Sequence, residues 1–159
     1  MNTMLNMNPE EIRAVIATRF LQPGFNFWFS DREHIRSPFP KEIREAAEEQ
    51  TSQTFFEWIE GHREEEWKNI DDEEMVDMFE TILFNEAIKL VDDEDQQLTI
   101  SYPFLPRKGD QVCNHLNEAG KVTQRRAVAT KDKPARLELT VLNEGNGKSW
   151  KTCFELSQS

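Results

Sequence analysis

Apolar residues recur at three- and four-residue spacing over roughly the first ninety positions, and at two-residue spacing beyond position 97. Ile12, Val15, Ile16 and Phe20 form one stripe after Asn8-Pro9-Glu10-Glu11. There Asn can cap a helix, Pro suits its first turn, and Glu sits near the positive end of its dipole. Gln22-Pro23-Gly24 reads as the stop of that helix. In "FNFWFS", Phe25, Phe27 and Phe29 alternate with Asn26 and Trp28, which predicts a strand with the three Phe turned inward and Trp28 outward. Pro38 and Pro40 then break the chain.

A short helix carrying Ile43, Ala46 and Ala47 follows, and Thr51-Ser52 reads as the cap of a stronger one. That second helix is predicted to run to about residue 68 on Phe55, Phe56, Trp58, Ile59 and Trp67. Asp71, Asp72, Glu73 and Glu74 open the next, over 72–91. Met75, Val76, Phe79, Ile82, Leu83, Ala87, Leu90 and Val91 give it so broad an apolar face that it is predicted to be the central, most buried helix.

After "DDEDQ", Leu98, Ile100 and Tyr102 alternate, as do Val112, Asn114 and Leu116. Further strands are predicted at 122–130, 136–142 and 149–156, joined by turn-rich connectors such as "NEAGK" and "NEGNGK". Connectors this short favour antiparallel pairing. The chain therefore reads as a single α+β domain over residues 1–159. Its N-terminal helical layer of about four helices (8–92) is expected to pack on one face of a C-terminal antiparallel β-meander of four to five strands (97–157).

Charge sharpens this division. The net charge of −11 separates into −15 over residues 1–95 and +4 over residues 96–159. An acidic helical layer suits a basic protein partner, and the same split would allow a homodimer that pairs acidic layer with basic sheet. No apolar run approaches the ~18 residues of a membrane span. The segment "MNTMLNMNPEE" has neither a basic region nor a long apolar one of the secretory kind, so a cytoplasmic protein is expected. Two cysteines, Cys113 and Cys153, make neither a disulfide scaffold nor a zinc site alone. No cofactor is expected.

The candidate motifs are few. "GNGKS" at 145–149 is part of a phosphate-loop pattern, but Leu142 stands where that pattern needs Gly, and a strand follows where it needs a helix. A hairpin turn explains the glycines. "DDEDQQ" at 92–97 lacks the central Gly and terminal Glu of a calcium loop and reads as the solvated end of the preceding helix. Arg125, Arg126, Lys131, Lys133 and Arg136 could meet phosphate, yet no stacking aromatics lie between them and the helical half would repel a polyanion; both points argue against nucleic acid. Cys113 and His115, two apart on a predicted strand, are a thin basis for a nucleophile.

One polar cluster stands out. Helical steps of 100° place His62 and Glu66 among Phe55, Trp58 and Ile59, and Glu86 among Phe79, Leu83 and Leu90. Carboxylates in such faces must be paired or shift their pKa. The three residues admit a structural pair, with Arg125 or Arg126 as candidate partners, a general acid–base pair, or a His/Glu/Glu metal set that lacks the H-E-x-x-H spacing. No metal is assigned. Trp28, His34 and Phe39 are the candidate surface readers, since single exposed aromatics often anchor interfaces. The leading expectation is a non-enzymatic, acidic, cytoplasmic protein-binding module of adaptor, chaperone or immunity type. The alternative is a small-molecule or hydrolytic site between helices and sheet using His62, Glu66 and Glu86.

Overall fold

A computed structural model describes residues 8–32, 36–61 and 70–156 of the chain. Helices precede strands in an α+β arrangement, and the chain divides into two compact units, Met1–Ser101 and Tyr102–Ser159.

In the first unit Asn8 caps α1 (Pro9–Ile16) as its residues predict. Its Oδ1 accepts from the Glu11 N–H at 2.8 Å, and its Nδ2 donates to the Glu11 carboxylate at 3.1 Å. The predicted stop at Gln22-Pro23-Gly24 does not stop the helix. A π-helical turn, Ala17–Leu21, leads directly into α2 (Gln22–Trp28). Pro23 has no N–H, and its ring would crowd the carbonyl four residues back in a regular helix. The wider turn, in which Gln22 N–H reaches Ala17 C=O, makes room for it. The predicted "FNFWFS" strand is therefore corrected to helix. Phe25 and Phe29, four apart, are buried on one face, while Phe27 turns outward.

The two helices expected around Thr51 are one, α3 (Arg44–Glu60), entered through a 3₁₀ turn at Lys41–Ile43 and ended at Gly61. Thr51 is not a cap but a fully buried mid-helix residue. Positions 62–68 of the predicted helix lie outside the described residues. The central helix, α4 (Asp72–Lys89), begins where its acids indicate, with Asp71 Oδ1 accepting from the Glu74 N–H at 2.8 Å. Phe79 of α4 stacks edge-on against Phe25 (5.2 Å) and Phe55 (6.4 Å), tying α2 and α3 to one core with Met75, Leu83 and Ala87.

The Leu98–Tyr102 strand is also corrected. Residues Glu94–Ser101 form a helix, α5, whose first turn is anchored by Asp93 Oδ2 accepting from Gln96 N–H at 3.1 Å. The acids of "DDEDQQ" thus serve the positive start of a new helix rather than the end of the old one, so the helical part extends to 101 instead of 92.

The second unit is a four-stranded antiparallel meander in the order β1 (Gln111–Cys113), β2 (Ala119–Thr130), β3 (Lys133–Leu142), β4 (Ser149–Glu155). Irregular register between Val122 and Gln124 changes which side chains face inward. On β2 the inward position passes from Val122 to Arg125, both buried with Leu137, Leu139 and Val141 of β3, whereas Arg126 and Lys151 are exposed on the opposite face. Gly120 is required where it stands, because a Cβ there would meet the Trp150 ring at 2.5 Å. "NEGNGK" is the hairpin loop it resembles: Asn143 Oδ1 accepts from Gly145 N–H, and Gly147 takes φ +73°.

Candidate functional site

The helical unit holds an apolar groove of about 330 Å³ between the α1–α2 run and α4. Pro23 and Gly24 form part of its wall, Phe79 lies within it, and Phe27, Trp28 and Val76 border it. Phe27 and Val76 are 36% and 43% exposed, whereas the other large apolar side chains of the two helices are buried or half-buried. Val76 was expected in the core. It stands one turn into α4, opposite Pro23 and Gly24, which offer little side chain to cover it.

Acid is concentrated on the α4 side of this opening. Asp72, Glu73, Asp77 and Glu80 stand within four residues of Val76 along α4, and all but Glu80 are exposed. Burial at the groove raises the Glu80 pKa, and the neighbouring charge of Asp77 raises it further. Two cations are engaged at the rim: Arg19 Nη2 lies 3.5 Å from Asp72, and the Arg32 guanidinium lies 4.9 Å from the Phe27 ring centre.

Of the residues singled out from sequence, Trp28 lies at this groove but is half-buried. Its ring meets Phe84 at 5.0 Å and Phe39 at 6.2 Å, both edge-on. Phe39 is only 5% exposed and belongs to the core, so it is corrected from surface reader to core residue. Phe29 and Phe84 hold its ring at about 5 Å. His34 lies outside the described residues, as do His62 and Glu66. Glu86, the remaining member of the polar cluster, has a side chain 15% exposed and accepts from Thr54 Oγ1 and Lys89 Nζ, each at 3.4 Å. Among the described residues no group of three or more His, Cys, Asp or Glu side chains could hold a metal.

The basic strands are occupied by internal contacts. Arg125 is buried and donates from Nη1 to Pro106 O at 3.0 Å. Arg126 and Lys151 flank Glu138 at 3.1 and 3.5 Å. Partial desolvation would raise the Glu138 pKa, but the hydrogen bond and charge of Arg126, with those of Lys151, outweigh it and hold the carboxyl below its usual range. Cys113 is exposed in β1, and His115 sits in the following turn rather than on a shared strand face.

Sequence reasoning missed Phe20, Gly24, Val76 and Glu80 as groove residues. The available signal was the pair Asp77 and Glu80 flanking an apolar face at helical spacing, but locating the groove needed the continuation of the helix through Pro23. No family model, curated protein or solved structure matches the chain. Among the described residues no helix is long and apolar enough to cross a membrane.

Proposed function

We propose that this chain is a non-enzymatic protein-binding module whose helical groove receives an amphipathic segment with an apolar face and basic flanks. The observation that supports it is the exposed apolar pair Phe27 and Val76 on a groove lined by Glu80, with Asp72, Glu73 and Asp77 within four residues of Val76 along α4. Fully burying such a side chain is worth ~1.5–3 kcal/mol, so covering the 36% and 43% still exposed adds on the order of 1 kcal/mol each and, with the groove floor, a modest affinity. The acids add attraction for Lys or Arg that is screened over ~10 Å at 0.1 M salt. A reduced cytoplasmic setting, in keeping with two exposed free thiols at Cys113 and Cys153, completes the adaptor- or chaperone-like reading.

The test is titration calorimetry of the full chain with a helical Leu/Lys peptide and with its Leu/Glu counterpart. The Lys peptide should bind, weaken about tenfold or more between low and high salt, and lose most affinity with Phe27→Ala or Val76→Ser. Equal binding of both peptides, or indifference to both variants, would overturn the proposal. Trp28→Ala is a poor variant for this purpose, because its contacts with Phe84 and Phe39 make it part of the fold.

A further inference from the structure

The sheet ends on β4, which pairs with β3 and with no other strand among the described residues. Its register with β3 runs through seven consecutive pairs without a bulge, from Arg136–Glu155 to Leu142–Ser149, so the outer edge is regular. The Leu156 N–H donates inward to Ala135 O. By the two-residue alternation of a strand, the N–H and C=O groups of Lys151, Cys153 and Glu155 then face outward. Such an edge is a template for another strand unless something blocks it. β4 contains no proline, and it carries Phe154 with 37% of its surface exposed.

We infer that β4 is the site of homodimerisation, with the β4 strands of two copies pairing antiparallel about a two-fold axis at Cys153. The charges on the strand select this partner and this register. Lys151 and Glu155 lie two residues either side of Cys153, so the register sets Lys151 of each copy opposite Glu155 of the other, on the same sheet face. A second copy thus supplies one member of each of two opposite-charge pairs. Thr152 falls opposite Phe154 and covers part of its exposed ring. The outward groups of Lys151, Cys153 and Glu155 meet their counterparts across the axis, as the antiparallel ladder requires. The register also brings the two Cys153 residues directly opposite one another, within the Cα separation that a disulfide spans. Both cysteines are exposed in the single chain. This inference is independent of the groove on the helical unit.

The competing reading is that Lys151 guards the edge against any pairing. The two are separated by light scattering and sedimentation of the full chain over a range of concentrations, in a Cys113→Ser background. The register predicts a concentration-dependent dimer. Lys151→Glu and Glu155→Lys should each weaken it about tenfold or more by placing like charges opposite, and the combined exchange should restore it. Diamide, which takes the two electrons and two protons released by two thiols, should yield a covalent dimer that Cys153→Ser abolishes. A chain monomeric at every concentration overturns the inference, as does a dimer indifferent to both charge reversals or a dimer whose Cys153 thiols do not cross-link. Circular dichroism of each variant separates loss of pairing from loss of fold. If a charge-reversed chain is unfolded, the cross-link in the Cys113→Ser protein still decides the register.

Discussion

Phe79 of α4 lies across the backbone of Gly24, so closely that a Cβ on Gly24 would stand 2.4 Å from the ring's Cε1. The ring has little freedom to retreat, being buried with Phe25 on one side and Phe55 on another. Gly24→Ala should therefore destabilise the helical unit by ~1–3 kcal/mol, although Ala is the better helix former. Combining it with Phe79→Leu should cost less than the sum of the two single changes, because the smaller side chain vacates the clash. Chemical denaturation of the three variants measures this coupling. Strict additivity would mean that the contact does not govern how α2 and α4 approach.

Thr51 carries a second packing consequence. It is fully buried in α3, and its Oγ1 has no hydrogen-bond partner among the described residues. Burying an unsatisfied hydroxyl costs about 1–3 kcal/mol, and Val has nearly the same shape without it. Thr51→Val should be neutral to stabilising, by up to ~1–2 kcal/mol, in a thermal melt. A clear fall in Tm would mean that the hydroxyl is satisfied.

Two carboxylates should pull stability in opposite directions with pH. Glu80 has its pKa raised in the folded state, so its favourable contribution is present at low pH and is lost as pH rises through the folded pKa. Glu80→Gln should raise Tm at neutral pH, by no more than about 1–2 °C given solvent screening, with the gain disappearing in acid. Glu138 has its pKa lowered, so its contribution is present above the ordinary value of 4.5 and fades as pH falls through the folded pKa. Glu138→Gln should lower Tm at neutral pH and match the wild type in acid. Melts across pH check both, and the same sign for the two variants would refute the assignments.

The α+β order, the acidic start of α4 and the hairpin loops were legible because each rests on local rules: caps, the helix dipole, turn residues and an uninterrupted period. The groove was not legible, because two local signals favoured another outcome. Phe25, Phe27 and Phe29 satisfy a period of two, yet Phe25 and Phe29 equally satisfy a helical step of four. Pro23-Gly24 argued for a stop on propensity, but the π turn admits the proline and Phe79 occupies the space that Gly24 leaves. The burial gained against α4 outweighs a propensity cost on the order of 1 kcal/mol for glycine. Asp93 behaves alike: the same acids could close one helix or open the next, and the hydrogen bond to Gln96 N–H shows that they open α5. Residue order thus specified the starts of α1 and α4 and the charge each segment carries. Side-chain packing between segments far apart in sequence decided which period the ambiguous stretches adopt and which apolar residues, Phe27 and Val76 among them, are left at the surface.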